Sequence, residues 1–241
     1  MHAINIVAVI PAKYKSMRVP RKNIRKIGGT KLFEYSIRAA LAARLINSVY
    51  VTSDSKKILE DAESIGAKSI KRPLHLSKSD VEMLPVLIHA LERIVITSGV
   101  KPDIIVLLQP THPFRDPFEI DNIISDLIND NSVSSIITVR EEAGLQGIII
   151  ENKFVPDVRI PRDRSTETKK FINTGTVYGL KVSETLDKGS FFGNNIRAHL
   201  LNKPNIEIDI DWPLDLAQAR TIARFFKKDL VKIGIIKKGL T

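Results

Sequence analysis

Short β-branched runs alternate along the chain with segments of helical periodicity, the pattern of a sheet assembled from βα units. Ile4 to Ile10 is a continuous apolar run and predicts a first strand. Leu32 to Arg44, with Ala-rich spacing, predicts a helix. "SVYVTSD" predicts a second strand ending at Asp54, and Ser55 to Ile65 a second helix closed by Gly66. "AKSIKR" fits a third strand. Val81, Leu84, Ile88, Leu91 and Val95 recur at spacings of three and four, so Asp80 to Ser98 is expected to form an amphipathic helix, capped by Asp80 or Ser79, with its stripe in the core. "DIIVLLQP" is nearly all apolar, as expected of a parallel strand covered on both faces, and "DPFEIDNIISDLI" predicts the helix after it.

From Ser134 the pattern changes. "SSIITVRE", "QGIIIENKFVP" and "FINTGTVYGLK" are closely spaced strand segments with turn residues such as Glu151-Asn152 between them and little helix. They imply a β-rich insertion or hairpin over 134–185 within a single domain spanning 1–241. "NIEIDIDWPLDLAQARTIARFF" then returns to strand followed by helix, with Pro213 suited to the first turn and Asp215 to an exposed place in it.

Charge sharpens this picture. Lys and Arg number 37 against 27 Asp and Glu, a formal net charge of +10, which favours an anionic partner such as a nucleotide, a nucleic acid or a membrane surface. Much of it is concentrated: "IPAKYKSMRVPRKNIRKIGGTK", Ile10 to Lys31, carries eight Lys and Arg, and no acidic residue precedes Glu34. There is no cysteine, which excludes disulfides, thiolate nucleophiles and Cys-type zinc sites. The run Ile4 to Ile10 has no basic region before it, ends at Pro11 and is too short for a signal sequence or a spanning helix, and no other segment approaches membrane length. A cytoplasmic protein with no membrane partner is expected.

In open α/β sheets, ligands bind beyond the carboxyl ends of the strands. The residues that follow the expected strands are polar: the basic loop Lys13 to Arg25, then Asp54, then Gln109, Thr111 and Arg115, with Asp209 and Asp211 in the last strand. A loop of Lys, Arg and backbone amides can hold a triphosphate, since each cation offsets phosphate charge and Arg binds bidentately. The loop matches neither G-x-x-x-x-G-K-[ST] nor G-x-G-x-x-G, which argues against a P-loop NTPase and a dinucleotide-binding dehydrogenase. A solvated basic loop is the alternative. In "IDID", Asp209 and Asp211 are two apart, so on a strand they share a side and could chelate a hard cation, Mg²⁺ (or Mn²⁺). The alternative is that they cap or flank the helix that follows. The five histidines show no zinc spacing.

"IPAKYKSMRVPRKNI", "VTSDS", "KRPLHL", "LLQPTHPFR", "NTGTVY" and "IDIDWPLDLAQA" succeed one another from Ile4 to Ala223, and in this order they resemble the motifs of the cytidylyltransferases that activate nonulosonic acids, the acylneuraminate (CMP-sialic acid) synthetase family. "LLQPT-x-P-x-R" and the closing "IDID…DL" are the most specific parts. The resemblance implies a three-layer α/β nucleotidyltransferase (Rossmann-like) domain with a mostly parallel sheet and a small β-rich dimerisation insertion. It implies CTP and a sialic-type 2-keto sugar acid as substrates, pyrophosphate as the leaving group, Mg²⁺ on Asp209 and Asp211, and a homodimer.

Residue by residue, the resemblance places Lys13, Arg18, Lys22 and Asn23 around the nucleotide, with Lys13 standing where the family usually has Arg. Tyr14, Lys15 and Met17 depart from the usual Gly-Gly-Ser-Lys. Arg72 matches a nucleotide-contacting Arg, and Gln109 a residue that contacts the sugar acid. Arg162 or Arg164 is placed to meet the acid's carboxylate, and Asn173 matches the family's Asn although "NTGTVY" is one residue longer than N-G-x-x-Y. Met83 stands where a Ser is usual. Asp209, Asp211 and Lys22 are the residues expected to carry the chemistry. Other readings are an acceptor such as Kdo, legionaminic or pseudaminic acid, another NTP, a catalytically dead paralogue, or a basic nucleic-acid-binding protein. Against the last stand an aromatic content of 6% and the lack of an RRM, KH or helix-turn-helix signature.

Overall fold

The structure is a computed structural model and describes residues 3–142, 147–156, 169–201 and 207–235. β1 (Ile6–Pro11) leads into the basic loop, which carries one helical turn at Lys22–Ile24 and a minimal hairpin, β2 (Lys26–Ile27) and β3 (Thr30–Lys31), before α1 (Leu32–Ala42). β4 (Ser48–Ser53), α2 (Lys56–Glu63), β5 (Lys68–Lys71), α3 (Met83–Ser98), β6 (Ile104–Leu107) and α4 (Pro117–Asn129) follow. Next come β7 (Ser135–Glu142), β8 (Gly147–Ile150), β9 (Lys153–Pro156), β10 (Lys170–Lys181), β11 (Ile196–Leu200), α5 (Pro213–Phe225) and α6 (Lys227–Lys232).

Seven strands form one sheet in the order β11-β7-β10-β6-β1-β4-β5. Every neighbouring pair is parallel except those made by β10, which runs antiparallel to both β6 and β7. β1 and β6 are buried along their whole length, which is why both read as unbroken apolar runs rather than as alternation. One core lies between the sheet and α1, α2 and α4, and a second between the sheet and α3. A third, built from Val19, Ile27, Tyr35, Phe114, Ile210, Leu216 and Leu230 among others, joins α5 and α6 to the basic loop. No described helix is long and apolar enough to cross a membrane.

Three expectations are corrected. α3 begins at Met83, with Glu82 at its N-cap making no side-chain cap bond, rather than at Asp80. Pro85 explains the shift: it lacks an N–H, which costs nothing in the first helical turn but would break a bond in the second. Residues 207–211 are not a strand; they run beside the loop after β6, held by Ile210 N donating to Thr111 O at 2.9 Å. The strands after Ser134 do not stay together: β7, β10 and β11 belong to the central sheet, and β8 pairs with β9 in a separate hairpin.

Candidate active site

The basic loop is pinned from below. Ala12 N donates to Thr52 O at 2.9 Å, Tyr14 N to Asp54 Oδ1 at 2.8 Å, and the buried Asn23 amide to Lys13 O at 2.7 Å. Val19 is buried in the third core. Arg21 adopts a left-handed φ of 55°, with its guanidinium 5.6 Å from the Tyr14 ring centroid. The loop is therefore a shaped wall, with Asn23 acting on its backbone. Lys15 and Met17 lie on the outside, Met17 being 80% exposed.

Lys13 and Arg72 meet at the ends of β1 and β5. Burial, then the charges of Arg72 and Lys22, pull the Lys13 ammonium below its ordinary pKa, and its amine lies 3.3 Å from Lys78 O. Arg72 is buried and donates to Thr52 O at 3.2 Å, while its Nε has no partner. Burial lowers its pKa to about 10, opposed by Asp54. Two cations crowded together with an unused donor form an electropositive corner suited to an anion.

The acidic pair lies against the basic loop. Ile210, fully buried, anchors the segment, and Asp209 and Asp211 emerge on either side of it. Asp211 is 42% exposed; its Oδ2 accepts from Arg18 at 2.6 Å and its Oδ1 from Lys22 at 2.9 Å. Burial acts to raise the Asp211 carboxyl, but the Lys22 bond and the charges of Lys22 and Arg18 outweigh it and hold the pKa low. Lys22 Nζ also donates to Ile210 O at 2.6 Å. Asp209 has no Lys or Arg partner among the described residues. Burial pushes its pKa up, the Thr111 hydroxyl bond opposes this, and the charge of Asp211 pushes it further. Its nearest basic group, His112 Nε2 at 3.6 Å, is kept neutral by burial and by Arg115 and Lys22, with a pKa of about 3.

Asp215 departs from expectation. It is half-buried, and its Oδ2 accepts from the backbone N–H of Asp211 at 2.9 Å and of Trp212 at 2.7 Å, fixing the direction in which the acidic pair leaves the chain.

The third side is made by the loop after β6 and by a bulge in β10. Arg115 is fully buried and donates to Thr176 O at 2.5 Å, to Ser36 Oγ at 2.8 Å, and to the carbonyls of Gln109 and His112. It fixes the backbone of Gln109, whose half-buried side chain stands at the end of β6. β10 shifts register between Asn173 and Tyr178, with Gly175 at φ +76° and a Cβ there falling 2.9 Å from His112 Nε2, so glycine is required. The Asn173 amide donates to Tyr178 Oη at 2.9 Å, and burial raises the pKa of that phenol, with Asp209 adding to the effect. "NTGTVY" falls within this irregular stretch, where Asn173 pairs with Val139 and Tyr178 with Ile137, so the strand absorbs extra residues without losing its pairing on either side.

Lys13, Arg18, Lys22, Arg72, Gln109, Asn173, Asp209 and Asp211 therefore converge beyond the carboxyl ends of β1, β5 and β6. Arg162 and Arg164 lie outside the described residues. The sequence did not signal the clamping role of Arg115 or the part played by Tyr178. A lone Arg in the apolar, Pro-rich stretch "PTHPFRDP" was the available sign.

A site of this make-up invites comparison with known proteins. The family model described as Cytidylyltransferase matches residues 7–170. The chain belongs to the cytidylyltransferase family. CMP-N,N'-diacetyllegionaminic acid synthase of Legionella pneumophila is 28% identical over 236 residues, covering 95% of this chain and 100% of that protein. N-acylneuraminate cytidylyltransferase of Escherichia coli is 26% identical over 242 residues, 95% of this chain but 54% of the relative's length. Among solved structures, CMP:2-keto-3-deoxy-manno-octonic acid synthetase complexed with CTP aligns with a TM-score of 0.69 at 17% identity, covering 92% of this chain and 99% of that one. The resemblance to the cytidylyltransferases of nonulosonic acids and the expected α/β nucleotidyltransferase fold are both upheld.

Proposed function

We propose that this cytidylyltransferase couples CTP to a nonulosonic 2-keto sugar acid, of sialic or legionaminic type, giving the CMP-sugar and pyrophosphate. The observation that carries the reading is one cluster of both charges: Arg18 and Lys22 bound to Asp211, with Asp209 two residues away and with Lys13 near both Lys22 and Arg72. The relatives' names support a 2-keto sugar acid; they include 3-deoxy-manno-octulosonate cytidylyltransferases, and the legionaminic acid synthase, 28% identical and matched over its full length, favours the nonulosonic type.

The acceptor's anomeric hydroxyl attacks the α-phosphorus in line, its proton passing to one of the Asp carboxylates or to water, the bond to the β-phosphate oxygen breaks, and pyrophosphate departs. Lys13, Lys22 and Arg18 would offset the negative charge that grows on the leaving group. Asp209 and Asp211 would hold Mg²⁺ or Mn²⁺, which when bound supplies charge stabilisation to phosphate oxygens and orients them. The residues fit such an ion: Mg²⁺ takes one or two protein carboxylates and fills its shell with water and phosphate, and Asp209 makes no ion pair with a Lys or Arg among the described residues, its carboxylate being held by the Thr111 hydroxyl. Arg162 or Arg164 is assigned to the acceptor's carboxylate, and Gln109 and Asn173 to its hydroxyls or amide.

Pyrophosphate release measured with each NTP against a panel of keto-sugar acids tests this. Release with CTP and a nonulosonic acid is expected; Kdo as the better acceptor would redirect the substrate. Salt-dependent oligonucleotide binding without CTP binding would overturn the reading. Lys22→Ala should weaken CTP binding by about 1.5–3 kcal/mol, the worth of a charged hydrogen bond, or roughly 10- to 150-fold in calorimetric titration. CMP, which lacks the β- and γ-phosphates, should lose much less.

The homodimer is part of the same proposal. The β8–β9 ribbon exposes Ile148, Ile149, Ile150 and Val155, with Ile149 at 76%, and an isolated two-stranded ribbon is marginal in water. A second copy of the chain is the proposed cover. Light scattering should give twice the 27.0 kDa chain mass, and Ile149→Asp should give the monomer.

A further inference from the structure

We propose that Trp212 is a positioning residue that parks Arg18 on Asp211 until a polyphosphate takes the guanidinium away, so that nucleotide binding uncovers the metal-binding carboxylate. The inference rests on the proposed function, because it takes Asp211 as a metal ligand and Arg18 as a phosphate ligand.

Arg18 stands at the crossing of two contacts. Its Nη1 is 2.6 Å from Asp211 Oδ2, and its Cζ is 5.0 Å from the centroid of the Trp212 ring. A guanidinium can lie flat on an indole while its edge donates to a carboxylate, so the two contacts are compatible and add. Both partners are held on one turn, since Asp215 accepts from the N–H groups of Asp211 and Trp212. The Trp212 ring is exposed and belongs to none of the three cores, so packing does not explain its presence there.

The two cations on Asp211 differ in freedom. Lys22 is only 13% exposed and is tied to Ile210 O as well; it stays. Arg18 is 53% exposed, and its described contacts are Asp211 and Trp212 alone; it can leave. While it remains, both Asp211 oxygens are occupied and a divalent cation must compete for them. A di- or triphosphate offers Arg18 bidentate acceptors of higher charge, and its withdrawal frees Oδ2. Nucleotide and metal then favour one another by the same factor, whichever binds first.

Trp212 is the sole tryptophan of the chain, so its emission reports whether Arg18 covers it. In EDTA, pyrophosphate and CTP should each change the emission of the wild type, and CMP should not. Arg18→Ala should start at the uncovered emission and lose the response. Without nucleotide, Mn²⁺ followed by electron paramagnetic resonance should bind Arg18→Ala roughly two- to fivefold more tightly than the wild type, the scale of an exposed cation–π contact and ion pair. Trp212→Leu should show the same gain in Mn²⁺ affinity, and Trp212→Phe should restore wild-type behaviour. Unchanged Mn²⁺ affinity in Arg18→Ala, or an emission response that persists in it, overturns the inference while leaving the proposed function in place. Failure of the wild type to bind Mn²⁺ even with CTP overturns the metal site itself and this inference with it.

Discussion

Asp211→Asn is expected to keep its fold and to lose turnover by a factor on the order of 10²–10³, the several kcal/mol that a catalytic cation contributes at a phosphoryl centre. The substitution is isosteric, and the backbone N–H of residue 211 keeps its bond to Asp215. The Arg18 pair is exposed on both sides and worth at most about 1 kcal/mol, and Lys22, 13% exposed, keeps its bond to Ile210 O and can still donate to the Asn amide oxygen, so the fold should hold. The chemistry should change far more. One carboxylate of the pair disappears, and Arg18 and Lys22 lose the anion that balances them before substrate arrives. Thermal melting alongside pyrophosphate release separates the two effects. Full turnover by this variant at saturating Mg²⁺ would remove Asp211 from the metal site.

Arg115→Ala should act in the opposite sense, on stability first, with a loss of about 3–5 kcal/mol. Arg115 is buried completely, and burial lowers its pKa to about 9, with Asp209 and Tyr178 opposing. Its removal leaves the carbonyls of Gln109, His112 and Thr176 without this donor, and a cavity beneath α1 where Ser36 bonds it. Arg115→Lys should rescue little, because an ammonium cannot reproduce a planar fork aimed at four acceptors. Denaturant unfolding should show a lower midpoint with an unchanged slope. A loss below about 1 kcal/mol would mean that the loop after β6 is held by its prolines and core contacts instead.

What the sequence disclosed, and what it withheld, follows from how each signal is encoded. β1 and β6 were legible because burial on both faces writes an unbroken apolar run. The helix after β6 was legible because Asp116 caps it and Pro117 occupies its first turn. The partners of β7 and β10 were not legible: a strand that pairs with its chain neighbour and one that returns to a distant sheet carry the same alternation. The geometry of "IDID" was misread for a related reason. Its alternation comes from Ile210 entering a core beneath α5, with no ladder involved. The acidic pair and the basic loop could be named because charge next to apolar runs is visible in one dimension. Their pairing could not, since Lys22 and Asp211 are brought together only when α5 and α6 close on the loop. Arg115 showed only as a charge in an apolar stretch, and burial with four acceptors is a fact of three dimensions.

The single reversed strand has a consequence for how such a protein can diversify. β7 ends at Glu142 and β10 starts at Lys170, opposite one another in the ladder, and both points lie at the end of the sheet where the ligand residues gather. Chain inserted between them, which here carries the β8–β9 hairpin, leaves and re-enters the framework at that end of the sheet. Its length and composition can change without moving one hydrogen bond of the remaining strands, whose register is set elsewhere. Under the proposed function, acceptor preference can then change by editing that segment while the basic loop stays as it is.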